Sequence, residues 1–466
     1  MNTSVKFKVN GMNYYLAIDI GASSGRHIVG WIADGKLKTE EVYRFKNGAE
    51  SNGGHIIWDT ERLFAEVKNG LKAAKEKGYV PSYIGIDTWA VDYALLDGEN
   101  KLIGEVYAYR DSRTVKSSEA VHRIISFDEL YKKTGIQFQT FNTIYQLYAD
   151  KLSGKIKEAE SLLMLPDYLN FLLTGVKKQE YTTATSTGLV NAQTHDWDGD
   201  ILDLLGLNRK LFGELSQPGT VVGSFSKEIE EELGYNATVI LPATHDTASA
   251  VLAAPIDNES PYISSGTWSL LGIEQERAHT DEGSQKANYS NEGSINYNFR
   301  YQKNIMGLWL IQCVKKELGN VSFETLAQMA KCKEDCGIID VNGQRFLSPK
   351  NMIDEINKAL GRSLNSSSIM RVIYDSLAKS YADAICELEK NTGKTYKTLN
   401  IIGGGSRDML LNELTAKATG KKIITGPTEA TAIGNLIMQM IGTGELKDLP
   451  DARKIIKKSF DIKEVK

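Results

Sequence analysis

Apolar positions near the beginning of the chain follow the two-residue period of strands. Tyr14 to Ile20, Arg26 to Ala33 and Leu37 to Phe45 read as three consecutive strands. The last two meet at Ala33-Asp34-Gly35-Lys36, where Asp-Gly supplies the positive dihedrals of a tight hairpin. The period then lengthens. Leu63, Phe64, Val67, Leu71 and Ala74 recur at helical spacing behind a cap at Asp59 or Thr60. Ile84 to Thr88 returns to the strand pattern. Three meandering strands, a helix and a strand that rejoins the sheet predict a mixed sheet rather than a purely parallel one.

Further on, Leu162 to Leu173 predicts a helix, and the hydroxyl-rich run Tyr181 to Thr187 predicts extended chain. Near Leu241 the pattern restarts: an apolar strand, then Thr244-His245-Asp246-Thr247, then a helix of small residues from Ala248 to Ala254. Tyr262 to Ile273 reads as strand, Ser-Gly turn and strand. It echoes Asp19-Ile20-Gly21-Ala22-Ser23-Ser24, and two strand–polar-turn–strand units fit a duplicated architecture. Val372 to Leu388 predicts a helix, Thr398 to Ile402 a strand, and Gly403-Gly404-Gly405-Ser406 the opening of another helix. No low-complexity linker interrupts the chain. The boundary is drawn near Thr244, giving one domain over residues 13–244, a second over 245–443 and a tail over 444–466.

Composition narrows the function classes. The 466 residues are 41% hydrophobic and 24% charged, ordinary for a soluble globular protein with ample core. A net charge of -4 provides no broad basic field to hold a nucleic-acid backbone. The 4 cysteines do not make a disulfide framework; Cys332 and Cys336 resemble half of a zinc site, but Cys313 and Cys386 supply no second pair. No apolar run is long enough for a membrane helix, and the start lacks a signal-peptide stretch, with Met12 an alternative start. These features predict a cytoplasmic protein.

Several segments can carry chemistry. Glycines and hydroxyls at a strand-to-strand turn can wrap phosphate oxygens with backbone N–H groups, or can simply turn a hairpin. Gly21 to Gly25 and Ser264 to Thr267 are both of this kind. Asp19 would stand beside such phosphates as a carboxylate for hydrated Mg²⁺, or would stabilise the turn. Gly21-Ala22-Ser23-Ser24-Gly25 also matches a hydrolase nucleophile elbow, but that motif needs a helix next, and a strand is predicted. Gly393-Lys394-Thr395 lacks the earlier glycine of a phosphate-binding loop, since Leu388 holds that position. Asp246, between strand and helix, could accept a hydroxyl proton during phosphoryl transfer, or cap the helix. Gly403 to Gly405 lets backbone approach a flat ligand. Asp87-Thr88-Trp89-Ala90-Val91-Asp92 mixes carboxylates, a hydroxyl and an indole, a combination that suits a sugar and that structural roles explain equally.

Taken together, the chain resembles the FGGY family of carbohydrate kinases. The strings are I-D-I-G-A-S-S-G-R, I-G-I-D-T-W-A-V-D, A-Y-R-D-S-R-T, G-I-Q-F-Q-T-F-N-T-I-Y-Q-L, T-H-D-T-A-S-A-V, S-S-G-T-W-S-L, K-N-I-M-G-L-W-L-I-Q and I-I-G-G-G-S, in the family's order. H-D-T-A-S-A-V and S-S-G-T-W-S-L are the most specific and resemble the members that act on L-rhamnulose. The resemblance implies an actin-like ATPase architecture of the ribonuclease H-like fold, with two domains and an interdomain active-site cleft. It implies transfer of the γ-phosphoryl of ATP to the 1-hydroxyl of L-rhamnulose, with Asp246 as general base. By position, Ala22, Ser23, Ser24, Gly25, Arg26, Thr267, Gln312, Gly403, Gly404 and Gly405 match ATP contacts. Ala90, His245, Asp246, Thr247 and Asn304 match sugar contacts, and Asp19 and Asp246 are the carboxylates for Mg²⁺. The family commonly has glycine where this chain has Ala90. The implied partners are small molecules only, neither nucleic acid nor membrane, on a monomer or homodimer. The alternatives are a kinase for another sugar, such as L-fuculose or xylulose, and a non-catalytic nucleotide switch.

Overall fold

The computed structural model describes residues 13–256, 259–331 and 336–465. Met12, the alternative start, and Cys332, half of the cysteine pair, lie outside the described residues. The chain forms two compact units. The first runs to Ala253 and takes back Glu274–Tyr301 and Thr431–Ser459; the second holds Ala254–Ile273, Gln302–Ala430 and the end of the chain from Phe460. A single cut near Thr244 therefore does not follow the compact units. The helix Asp246–Leu252 stays with the first because its strand-end approach is tied there, Thr88 N–H donating to Thr244 O at 2.9 Å.

The first unit is built on a mixed six-stranded sheet, in the order Val221–Ser224, Thr238–Ile240, Tyr83–Thr88, Tyr15–Ile20, Ser24–Ala33, Lys36–Lys46. Tyr15–Ile20 runs antiparallel to Ser24–Ala33 and parallel to Tyr83–Thr88, as the change of period predicts. The helix Thr60–Glu76 starts at an Asp59 cap whose side chain accepts from Arg62 N–H, and it buries Leu63, Val67, Leu71 and Ala74 against the sheet core of Leu16, Ile18, Ile84 and Ile86. Burying such side chains contributes roughly 1.5–3 kcal/mol each.

The second unit repeats the topology. Tyr262–Ser265 pairs antiparallel with Trp268–Gln275 and parallel with Thr398–Ile402. Thr398–Ile402 pairs parallel with Lys422–Thr425, which closes antiparallel on Glu464–Val465. The first sheet has the same succession of antiparallel, parallel, parallel and antiparallel partners, from Ser24–Ala33 across to Val221–Ser224. The echo between the two turns is thus a repeat of whole sheets.

Two expectations need correction. Ser161–Met164 is a strand and only Leu165–Thr174 is helical, with Pro166 at the start; antiparallel pairing with Tyr93–Leu96 overrides the local helical period. Tyr181–Thr185 is a short helix, not extended chain, because the buried Glu180 carboxylate accepts from Thr182 and Thr183 N–H and caps it. Within the tail 444–466, Leu449–Ser459 is a helix, and Leu37 N–H donates to Ser459 Oγ at 2.8 Å. The strand after Ser23 and the helix Ser366–Thr392 around Leu388 agree with rejecting both decoy motifs. No helix among the described residues is long and apolar enough to cross a membrane.

Candidate active site

In the first unit, strand pairing sets the charges. Tyr15–Ile20 and Tyr83–Thr88 run parallel in a register that puts Asp19 opposite Asp87, while the antiparallel partner puts Arg26 opposite Asp19. The Arg26 Nε lies 3.2 Å from Asp19 Oδ2, a partly buried ion pair. The Asp87 carboxyl is fully buried; its Oδ2 accepts from Asn435 Nδ2 at 2.6 Å, and its Oδ1 meets no donor among the described residues. Burial, then the negative charge of Asp19, pushes Asp87 well above the usual carboxylate range; Asn435 and Arg26 oppose this, and Asp246 adds to it. Three carboxylates therefore share one electrostatic neighbourhood.

The turn holding Ala22, Ser23 and the start of the strand Ser24–Ala33 closes with Gly21 N–H donating to Ser24 O at 2.9 Å. Asn47 braces it from outside, its side-chain amide donating to Gly21 O at 2.8 Å. Backbone of Ala22 to Arg26 is thereby fixed beside Asp19.

Thr88 forms an isolated parallel bridge with His245, so the end of one strand holds the Thr244–Thr247 segment. Asp246 is the first residue of its helix, and His245, whose side chain makes no capping bond, holds the cap position. The Asp246 carboxylate is thus not spent as a cap. Its Oδ1 accepts from Thr247 N–H at 2.5 Å and Thr247 Oγ1 at 3.1 Å, and faces His245 Nε2 at 3.5 Å. Its Oδ2 accepts no bond among the described residues.

Ala90 lies in the loop after Tyr83–Thr88, next to Val91 at φ 71. A β-branched residue rarely enters that left-handed region, and doing so costs on the order of 1–3 kcal/mol. Thr143 Oγ1 at 2.7 Å and Gln146 Nε2 at 3.2 Å hold the Val91 carbonyl there. One residue on, the buried Asp92 accepts from Trp58 and Trp89 indole N–H at 2.7 and 2.8 Å, from Tyr109 N–H at 3.1 Å and from Gln146 at 3.0 Å. Burial raises Asp92 to about 6 against the pull of those four donors. The two indoles pack at 4.0 Å between centroids, so the loop bearing Ala90 is rigid.

In the second unit, Gly403 has φ 79, and a Cβ there would meet Ser265 O at 2.9 Å. At Gly405 a Cβ would meet Ser265 Oγ at 2.0 Å, so only glycines let this turn lie against the Ser264–Thr267 turn. Thr267 Oγ1 lies 3.4 Å from Gln312 Oε1, and Leu308 N–H donates to Gly266 O at 2.9 Å, which joins the helix Trp309–Glu317 to the same turn. Gly403 to Gly405, Thr267 and Gln312 are thereby gathered. Asn304 stands apart from them on the strand Phe299–Met306, its buried Oδ1 without a donor among the described residues.

Residues 14–253 match the N-terminal domain and residues 261–443 the C-terminal domain of the FGGY family of carbohydrate kinases. The chain belongs to this family. Among curated relatives, the rhamnulokinase of Oceanobacillus iheyensis is 48% identical over 457 residues, 96% of this chain and 97% of that protein. The rhamnulokinase of Bacillus subtilis is 42% identical over 458 residues, 96% of this chain and 94% of that protein. Among solved structures, gluconate kinase from Lactobacillus acidophilus matches with TM-score 0.82 at 17% identity, covering 98% of this chain and 94% of that one. Plasmodium falciparum glycerol kinase with ADP matches with TM-score 0.76 at 16% identity, covering 98% and 94%. These likenesses bear out the two-domain, actin-like α/β fold. FGGY membership makes the chain a carbohydrate kinase that uses ATP.

Sequence reasoning passed over Glu180, Glu292 and Arg300, and took Asp87 only as part of a segment suited to a sugar, not as a neighbour of Asp19. Asp87 was within reach, being two residues beyond Gly85 on a strand whose partner carries Asp19. Nothing in the spacing of the others points to this site.

Proposed function

We propose that the chain is an ATP-dependent kinase that phosphorylates the 1-hydroxyl of L-rhamnulose. The observation that carries this reading is the whole-length likeness to proteins named rhamnulokinase, 38% to 48% identical. Asp246 is the general base: with Oδ1 occupied by Thr247, Oδ2 takes the proton of the sugar hydroxyl. The sugar oxygen then bonds to the γ-phosphorus in line, and the bond from that phosphorus to ADP breaks. Ala90, His245, Thr247 and Asn304 bind the sugar. The backbone of Ala22 to Arg26, with Thr267, Gln312 and Gly403 to Gly405, binds ATP.

The donor set fits Mg²⁺. Among the described residues no group of three or more ligand side chains could by itself hold a metal ion. Nucleotide-bound Mg²⁺ takes most ligands from phosphate and water and needs one or two carboxylates. Mutual repulsion among Asp19, Asp87 and Asp246 favours a cation at that place. Asp19 and Asp246 would hold it, and it would neutralise phosphate charge. We also take the enzyme to act in the cytoplasm, without nucleic-acid or membrane partners, as a monomer or homodimer.

The test is ATP turnover over a panel of L-rhamnulose, L-fuculose and xylulose, with a sugar-free control. L-Rhamnulose should be the preferred acceptor and give turnover well above the water-only background. Preference for another ketose would shift the assignment to a different sugar kinase of the family. Equal turnover without sugar would favour a nucleotide switch.

A further inference from the structure

His245 is gripped on the side away from Asp246. Its Nδ1 lies 3.1 Å from Glu292 Oε2 and 3.2 Å from Arg300 Nη2, while its Nε2 faces Asp246 Oδ1 at 3.5 Å. Arg300 is completely buried, a costly place for a guanidinium unless it is paired and hydrogen-bonded. It is both: Nη2 also reaches Glu292 Oε2 at 3.1 Å, and Nε donates to Gly293 O at 3.1 Å. The Gly293 N–H in turn donates to Thr185 Oγ1 at 2.8 Å.

That ring of contacts returns to the same strand end from the other direction. Glu180, fully buried, caps the helix Tyr181–Thr185 and accepts from Thr244 Oγ1 at 2.6 Å and Thr244 N–H at 3.2 Å. Backbone on one side and imidazole on the other are therefore both fixed immediately before Asp246. A surface ion pair would not need this investment. Two buried charges set around one imidazole are the arrangement expected where a ring must hold a single orientation.

We propose that Glu292 and Arg300 are positioning residues for phosphoryl transfer, clamping His245 so that its Nε2 faces Asp246 Oδ1 and leaves Oδ2 directed to the sugar. Nδ1 meets the Arg300 guanidinium and the Glu292 carboxylate together, and this double contact fixes the plane of the ring. This inference rests on the reading of Asp246 as the base.

The test is a double-mutant cycle on the full-length enzyme. Glu292→Gln keeps the shape and removes the charge; it should lower kcat about 10- to 100-fold, the range for misplacing a reacting group, while the KM for ATP stays unchanged. In an Asp246→Asn background, Glu292→Gln should lower the residual rate less than about twofold, because the group it positions is already disabled. An equal fold-loss in both backgrounds, or no loss in the parent, would overturn the clamp. Near-normal turnover of Asp246→Asn alone would instead overturn the base assignment, and the two failures are distinct. Glu292→Gln can cost the fold by stranding a buried guanidinium, so Arg300→Lys is measured in parallel. It retains the charge and cannot bond Glu292, His245 and Gly293 together, and its kcat loss should likewise vanish in the Asp246→Asn background.

Discussion

Gly434→Ala offers a sharp probe of how the packing supports the chemistry. Gly434 lies in the helix Ala430–Gly442, and a Cβ there would stand 1.7 Å from Ser249 O and 2.5 Å from Ser249 C. Both are backbone atoms of the helix that opens with Asp246, so no flexible side chain can move aside. Ordinary contact begins at 3.4 Å, so the helices must separate by about 1.7 Å or bend. Overpacking of this kind costs about 1–3 kcal/mol, and backbone on both sides argues for the upper end. The displacement falls one turn from Asp246, and the same helix carries Asn435, which bonds Asp87 at 2.6 Å. A 1 Å misplacement of a reacting group costs about 10²-fold. We therefore expect kcat with ATP and L-rhamnulose to fall about 10²-fold in a variant that remains folded, read by steady-state kinetics beside thermal unfolding. Gly442→Ala is the control: its Cβ would meet Gly219 O at 2.5 Å at the far end of the same helix, so it should lower the melting temperature and spare kcat. A Gly434→Ala enzyme with kcat within twofold of the parent, or a Gly442→Ala enzyme that loses as much, would refute the reasoning.

Other outcomes follow from the same geometry. Asp246→Asn should keep ATP binding by calorimetry and lose about 10²–10⁴-fold in kcat; near-normal turnover in the folded variant would remove Asp246 from its role. Asp92→Asn turns into a donor one of the two oxygens that between them accept from four N–H groups, so tryptophan fluorescence should change and the KM for sugar should rise while that for ATP holds. Ala90→Gly should change the KM for sugar and not that for ATP, and an effect confined to ATP would take Ala90 out of the sugar pocket. The buried His27 donates from Nε2 to Val67 O, and burial lowers its pKa from 6.5 to about 3. The unfolded chain therefore binds the proton first, so stability present above pH 6.5 is lost as pH falls toward 3, at about 1.4 kcal/mol per pH unit. His27→Gln should flatten that slope in urea titrations at pH 7 and 5, and an unchanged slope would exclude His27 as its source.

Local pattern was sufficient wherever neighbours in sequence decide the structure. The first three strands, the Asp59-capped helix and the strand Thr398–Ile402 are written in period, cap and turn residues. So is the match of Asp246, Thr267 and Gly403 to family strings, because each sits in a turn whose chemistry is local. The helix Tyr181–Thr185 was misread because its stability comes from a buried Glu180 carboxylate, and burial is not a property of a short segment. Ser161–Met164 was misread for a related reason, its partner Tyr93–Leu96 being remote in the chain. Glu292 and Arg300 were invisible for the same reason in stronger form. Their pairing with His245 depends on a polar strand being carried into a fully desolvated place, where an unpaired charge is too costly to persist. Sequence alone determined the repeated turns and the candidate base; only the tertiary structure decided which buried charges hold that base in position, since desolvation exists only once the chain has closed around them.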